Sequence, residues 1–380
     1  MNDVFGSYSG SQLDRPIRVL QSVAGLGRGG LEQLIMNWYR SIDRSKIQFD
    51  FVAEEGVGTR DHEAEIRDLG GRIYYVPRYT SVNPLTYAQR WRQLLSDHPE
   101  WQVIHAHHTT PALIYLTVAR VMGRTCIAHS HNTDGQKSWK ALTRRLLGRP
   151  LNIIAHRRLA CGVDAGRAMF GTSRFEVVPN SINIMEFAFD PDSRSAARVE
   201  LGVEDTLVVG HIGRFTEAKN HAHVVRVFEA LASSFPAARL LLIGEGQLRT
   251  EIERLVRMSG LEEKVQFLGS RADIGRLMSA MDVFLLPSLY EGLPVTLVEA
   301  QANGLPCVIS SSITDEVRLT SHVLSVDLDA PVEEWVSAVS SAPIGQRERV
   351  PVANELKGGV YDVEYSVHRM STLYSELAAK

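Results

Sequence analysis

The chain has 380 residues, 44% of them apolar and 22% charged, with a formal net charge of −3. This composition is that of a globular protein, long enough for about two to three domains with their own cores. The near-neutral balance excludes a global pull toward nucleic acid or membrane, so any such affinity needs a local patch.

The amino terminus, residues 1–15, is polar and lacks an apolar signal-like run, and reads as a loose tail. From Ile17 short apolar runs alternate with longer amphipathic ones. Strands are predicted at Ile17–Val23, Gln48–Ala53, Arg72–Val76, Val103–Ala106, Cys126–Ala128, Arg158–Cys161 and Glu176–Val178. Helices are predicted between them, at Gly30–Arg40, Asp61–Leu69, Leu85–Leu95 and Pro111–Met122. The polar stretch Asn180–Asp205 reads as irregular, and then the alternation restarts. Strands follow at Leu207–Ile212, Leu240–Ile243, Val265–Leu268, Val283–Leu286, Cys307–Ile309 and Val323–Ser325, with helices at Lys219–Phe235, Leu248–Met258, Ile274–Ala280 and Pro294–Asn303. Alternation of this kind predicts parallel sheets covered on both faces. The expectation is an α/β protein of two doubly wound, Rossmann-like domains facing across a cleft. Residues 16–183 form the first and 184–360 the second, and a final helix within 361–380 packs back on the first. The three cysteines, Cys126, Cys161 and Cys307, sit in or beside strand-like runs and read as buried, reduced thiols in a cytoplasmic protein.

In such sheets ligands bind beyond the carboxyl ends of the strands. There the chain is unusually polar: GLGRGG, HAHH, HSHN, GRFTEAKN, GEG, GSR and SLYEGLP. GRFTEAKN puts Arg214 and Lys219 where a strand meets the next helix, a planar fork of donors and a compact ammonium suited to a diphosphate. In SLYEGLPVTLVEA, Pro294 is placed as the first residue of a helix, whose free amides around Gly292, Leu293, Pro294 and Val295 form a second anion seat. Glu291 stands at the mouth of that helix and Glu299 more than a turn deeper. Two acids so spaced suit an extended ligand carrying hydroxyls at both ends, such as a sugar-nucleotide. A glycosidase also uses two carboxylates but has no need of the adjacent cations.

Residues 213–220 and 291–299, together with LQSVAGLGRGGLEQLIMNWYR, SKIQFDFV, IAHSHN and MDVFLLPSLYEGLPVTLVEAQANGLP, resemble the retaining GT-B-fold glycosyltransferases of family 4, in the bacterial branch that builds exopolysaccharide, capsule or lipopolysaccharide. The resemblance implies that Arg214 and Lys219 bind the donor diphosphate, that Glu291 holds sugar hydroxyls, that Glu299 binds the ribose, and that Gly213 and the segment Gly292–Val295 complete the donor site. It implies that His129 faces the donor sugar from the first domain, and that the turn bearing Gly27, Gly29 and Gly30 approaches phosphate or acceptor. Ser270 and Arg271 are candidates for the base edge. The family often carries Pro-Asn-Gly-Ile-Asp near the domain junction, whereas this chain has Pro179-Asn180-Ser181-Ile182-Asn183. The implied reaction moves a sugar, by family habit from UDP, to a glycan or polyprenyl-diphosphate-linked acceptor. Protein cations stand in for the metal, so no cofactor or metal is expected.

Two rivals come from the residues themselves. GLGRGG is a literal dinucleotide fingerprint with Glu54 and Glu55 at the end of the next strand, as in an NAD-dependent dehydrogenase. The pairs His105/His107 and His129/His131 could instead ligate a metal, as in a hydrolase, because residues i and i+2 of a strand face the same way. Finally, residues 137–158 carry seven basic residues and no acid, with Trp139, Leu142, Leu146 and Leu147 interleaved near helical spacing. This reads either as a basic face on the inner membrane leaflet or as an apolar stripe with a solvated side. The longest apolar run, Ala112–Ala119, is far short of the ~20 residues of a spanning helix. The expected location is cytoplasmic, peripheral on the membrane at most.

Overall fold

The computed structural model describes residues 15–27, 29–107, 111–131, 148–291, 293–342 and 346–379. They fall into two compact units: 15–131 with 148–177 and 367–379, and 178–366.

The first unit is built on a seven-stranded parallel sheet: β1 Ile17–Ser22, β2 Ile47–Glu54, β3 Ile73–Val76, β4 Trp101–Ala106, β5 Thr125–Ser130, β6 Arg157–Ala160 and β7 Glu176–Val177. Their spatial order is β3-β2-β1-β4-β5-β6-β7. Every residue of β2 is buried, as expected of a strand with helices on both faces. One face is apolar, with Leu20, Val52, Ile104, Ala106, Cys126 and Ala128 packed on Trp91, Tyr115 and Leu116. The alternation then sends Gln21, His105 and His129 to the other face. There Trp38, from the helix Gly30–Ser41, stacks on both imidazoles at 6.2 and 6.1 Å.

The second unit repeats the plan with β8 Val208–Ile212, β9 Arg239–Ile243, β10 Val265–Gly269, β11 Val283–Leu286, β12 Cys307–Ser310 and β13 Val323–Val326, ordered β10-β9-β8-β11-β12-β13. Alternate residues again feed separate layers. Leu241, Ile243, Phe284 and Leu286 enter one cluster, while Leu240, Leu242 and Leu285 enter the other. In both sheets the chain leaves the central strand in one direction and returns on its other side. This makes a switch point between β1 and β4 and another between β8 and β11, where ligands of doubly wound sheets bind.

The expected architecture of two Rossmann-like parallel sheets is found. One expectation is corrected: Asn180–Asp205 is not irregular throughout but contains the helix Pro191–Leu201. Asp190 caps it by accepting from the amides of Asp192 and Ser193, Pro191 opens it, and Gly202 ends it in the left-handed conformation. Its buried residues are only Ala197 and Arg198, so no apolar stripe betrayed it. Arg194 and Arg198 instead anchor it, donating to the carbonyls of Ser279, Met281 and Ala280 and pairing with Asp282. The segment Pro179–Asn183 is held by the chain's end, with Ile182 bridged to Asp362 and Ser181 hydrogen-bonded to Ser366 at 2.6 Å. The three cysteines are buried, and none of them forms a disulfide. Among the described residues no helix is long and apolar enough to cross a membrane.

Candidate active site

At the β8/β11 switch point two loops are locked together. Gly213 follows β8 and donates its amide to Ile243 O at 2.9 Å. A Cβ here would stand 3.1 Å from Lys219 Cδ, so glycine lets the lysine stem lie across the backbone. Gly244, at φ +137°, passes so close to the Gly213 carbonyl that a side chain would collide with it. The loop turns through the short 3-10 segment Glu217–Lys219 into Asn220, at φ +53°, a conformation asparagine tolerates better than most residues. Asn220 Nδ2 donates to Pro287 O at 3.1 Å and Leu289 N–H to Ala218 O at 2.8 Å, which ties this loop to the one after β11.

Lys219 Nζ thereby reaches Glu291 Oε1 at 2.6 Å, and Ser288 Oγ donates to the same oxygen at 2.6 Å. The lysine and glutamate side chains are 17% and 12% exposed, far enough from bulk water for the pair to matter more than a surface salt bridge. Glu299, half-buried on the helix Val295–Ala302, is the third charge. Burial raises its carboxyl pKa to about 7, with the Lys219 ammonium pulling the other way. The two acids quoted from the sequence therefore share one cation between them.

The helix start differs from expectation in one respect. Pro294 is its N-cap, not its first residue, because at ψ 94° it is still extended and Val295 opens the helix. The pyrrolidine fixes φ but leaves ψ to local packing. The amides of Val295 and Thr296 lie in the first turn, where helical donors lack helical acceptors. Thr296 Oγ1 is buried without a hydrogen-bond partner among the described residues, a feature the sequence reading missed because a threonine inside an apolar run reads as packing. Leu293 and Val295 pack against the core of the unit. Gly292 lies outside the described residues. Arg214 is exposed on the lip of its loop. Arg271, after β10, is gripped by Asp273 through two bonds of 2.7 Å, and the arginine holds that carboxyl down at about 2. Arg276 and Glu200 extend this into a separate four-charge network.

At the β1/β4 switch point of the first unit the histidines converge. His105, His107 and His129 are buried, with nitrogens within 4.8 Å of one another, close enough to suit a metal ion. Those nitrogens are engaged with each other and with neighbours. His105 meets Tyr374 Oη at 2.7 Å and His129 Nδ1 at 3.2 Å, while His107 meets Gln21 Oε1 at 2.8 Å and His131 Nε2 at 3.0 Å. Burial and the neighbouring imidazoles hold His105 well below the usual histidine range, so it is neutral. His108 lies outside the described residues.

In the glycine-rich turn, Gly25 packs against Val57 O and Gly27 against Thr59 Oγ1, each 2.7 Å from where a Cβ would stand. Gly29 caps the helix Gly30–Ser41, and Gly30 has open space around it. Glu54, which a dinucleotide ribose would require, is buried and turned toward Tyr79 N and Tyr87 Oη at 3.4 and 3.5 Å. Glu54 so engaged gives no support to the dehydrogenase reading, and histidines bonded to one another, to Gln21 and to Tyr374 give none to the hydrolase reading. A cavity of 510 Å³ lined by Arg120, Arg124, His156 and Arg157 opens at the amino ends of β4–β6, the opposite edge from His129. Its arginines donate to the carbonyls of Ile154, Leu95, Pro99 and His156, a structural duty. Of the basic segment, Arg149, Arg157 and Arg158 are described, and Arg158 braces Asn152 and Arg174 carbonyls. Residues 137–147 lie outside the described residues.

Residues 29–180 match the family of glycosyl transferase 4-like domains, and residues 193–316 match the glycosyl transferases of group 1. The "Putative glycosyltransferase EpsF" of Bacillus subtilis (strain 168) is 37% identical over 94% of this chain and 96% of its own. An Escherichia coli UDP-Gal:alpha-D-GlcNAc-diphosphoundecaprenol alpha-1,3-galactosyltransferase is 22% identical, covering 74% of this chain and 76% of its own. Among solved structures, Anabaena HepE in complex with UDP and glucose superposes with a TM-score of 0.79 at 19% identity, over 95% of this chain and 100% of that one. The chain therefore belongs to the group 1 glycosyltransferases, with a 4-like amino-terminal domain and the paired parallel sheets of the GT-B fold.

Proposed function

We propose that the protein transfers a sugar, with retention, from a UDP-sugar to a glycan or polyprenyl-diphosphate-linked acceptor in cell-surface polysaccharide synthesis. The observation that carries this reading is the Lys219 ammonium paired with Glu291 and within electrostatic reach of Glu299 on the helix Val295–Ala302. A diphosphate would draw Lys219 away from Glu291, and the released carboxylate would accept from sugar hydroxyls. Lys219, exposed Arg214 and the amides of Val295 and Thr296 would stabilise charge on the departing phosphate. Glu299 would accept from ribose hydroxyls, and Arg271, oriented by Asp273, would face the nucleobase. The second unit, in this reading, holds the donor. The first serves the acceptor, with His129 proposed to act on the sugar and the turn of Gly27, Gly29 and Gly30 on phosphate or acceptor.

The likeness to a galactosyltransferase that acts on a diphosphoundecaprenol substrate, and to a fold that holds UDP, supports this donor and acceptor class. An acceptor of that kind would bring the protein to the inner face of the cytoplasmic membrane, and residues 137–158 supply the basic surface. Because protein cations carry the leaving-group charge, turnover persists in EDTA. A panel of UDP-, GDP- and ADP-sugars, screened for thermal shift and then for release of free nucleotide, tests the donor class. Product anomers read by NMR test retention. Nucleotide release from no sugar donor, release abolished by EDTA, or an inverted product overturns the corresponding part.

A further inference from the structure

Six groups of the first unit form a connected hydrogen-bond path. His131 Nε2 lies 3.0 Å from His107 Nδ1, and His107 Nε2 lies 2.8 Å from Gln21 Oε1. Gln21 Nε2 donates to Tyr374 Oη at 3.2 Å, Tyr374 Oη lies 2.7 Å from His105 Nδ1, and His105 Nε2 lies 3.2 Å from His129 Nδ1. Gln21, His105, His129 and Tyr374 are fully buried and His107 nearly so.

The chemistry of each group fixes the next. Gln21 Oε1 can only accept, so His107 carries its proton on Nε2 and its Nδ1 accepts from His131. Gln21 Nε2 can only donate, so Tyr374 accepts from it and turns its own O–H to His105 Nδ1. Burial raises the pKa of the Tyr374 hydroxyl, which keeps its proton. His105, neutral, must then be protonated on Nε2, and it donates to His129 Nδ1. A neutral His129 consequently holds its own proton on Nε2. The Trp38 ring stacks on His105 and His129, whose planes lie within 6° of each other.

We propose that Tyr374, from the helix Val363–Ala378, is a positioning residue whose hydroxyl, through His105, fixes His129 in the tautomer with its proton on Nε2. In that tautomer Nε2 is a hydrogen-bond donor and cannot act as a base. The tautomer rests on the orientation of the Gln21 amide, Oε1 toward His107 and Nε2 toward Tyr374, whereas its use on a sugar oxygen rests on the proposed role of His129. One other arrangement satisfies the path: with the Gln21 amide turned over, every donor and acceptor reverses and His129 carries its proton on Nδ1.

The test is long-range 1H–15N correlation of the histidine side chains in the full chain labelled with 15N-histidine, at pH 7.5 without substrate. Each resonance is assigned by a single His→Gln substitution. His105, His107, His129 and His131 are expected with a protonated Nε2 and an unprotonated Nδ1. In Tyr374→Phe, which removes the donor to His105 Nδ1, His105 and His129 move to a mixture of tautomers while His107 and His131 stay. One equivalent of zinc ion leaves all four spectra unchanged. A His129 protonated on Nδ1 or on both nitrogens in the unmodified protein overturns the proposal, whether or not the variant folds. So does an unchanged His129 in a folded Tyr374→Phe, or displacement of His105, His107 and His129 by zinc. A confirmed tautomer with full turnover in His129→Gln would instead remove His129 from the sugar site and leave the tautomer standing.

Discussion

The two switch points occupy equivalent places in equivalent sheets and are built from opposite chemistry. The one between β8 and β11 is ionic: Lys219 and Glu291 face each other at 2.6 Å with part of each side chain reaching water. The one between β1 and β4 is buried, with imidazoles, an amide and a phenol linked end to end and His105 held neutral. Depth explains the difference. An ion fully removed from water costs several kcal/mol unless it is paired, and the Lys219–Glu291 pair sits where part of each side chain still reaches water. A site whose task is to hold one direction of hydrogen bonding can be sealed, because neutral groups in a low dielectric strengthen each other.

The largest effect that can break this contrast is at the ionic site. Lys219→Ala should lower nucleotide release by about 10²–10³-fold, the cost of losing a preorganised charge donor, with the fold retained by circular dichroism. Turnover within a few-fold of the unmodified protein would mean that the lysine only buffers Glu291.

Next comes acid stability, which probes the buried histidines. His105, His211, His221 and His223 all have pKa values lowered by burial, His221 to about 4. The unfolded chain takes up these protons near pH 6.5 while the folded one resists, so their contribution is complete above that pH. It is lost as pH falls from 6.5 toward 4, by up to about 3 kcal/mol for His221 alone. Urea melts across this range check it, and a flat midpoint would show the imidazoles charged in the fold.

A finer probe uses Glu299, whose carboxyl sits at about 7. If its ionised form holds ribose, UDP affinity should fall about tenfold per pH unit below 7, measured calorimetrically. Glu299→Gln should remove that component of the slope when compared at each pH, since the titration of UDP itself is common to both proteins. The smallest effect is expected at Arg271→Ala. It should shift stability by less than about 1 kcal/mol, as for an exposed pair, while narrowing the preference among UDP, GDP and ADP in the same calorimetric assay. An unaltered preference would take Arg271 away from the base.

Much of this was legible in the residues. Parallel strands buried on both faces write themselves as short apolar runs, and the polar punctuation after each run marks the carboxyl edge. The helix Pro191–Leu201 escaped because arginines clasping carbonyls, not an apolar stripe, anchor it. Pro294 was misplaced by one residue because its ring dictates φ but not ψ.

By itself the sequence determined two doubly wound units, the polar loops at their strand ends, and the residue types available there. Only the tertiary structure decided which groups meet: that Lys219 pairs with Glu291, that Arg271 belongs to Asp273, and that Tyr374 closes a path begun at Gln21, 353 positions earlier. The first set follows from local periodicity and backbone stereochemistry, which repeat every two or four residues. The second depends on contacts between distant segments, whose angstrom-scale distances no local pattern encodes.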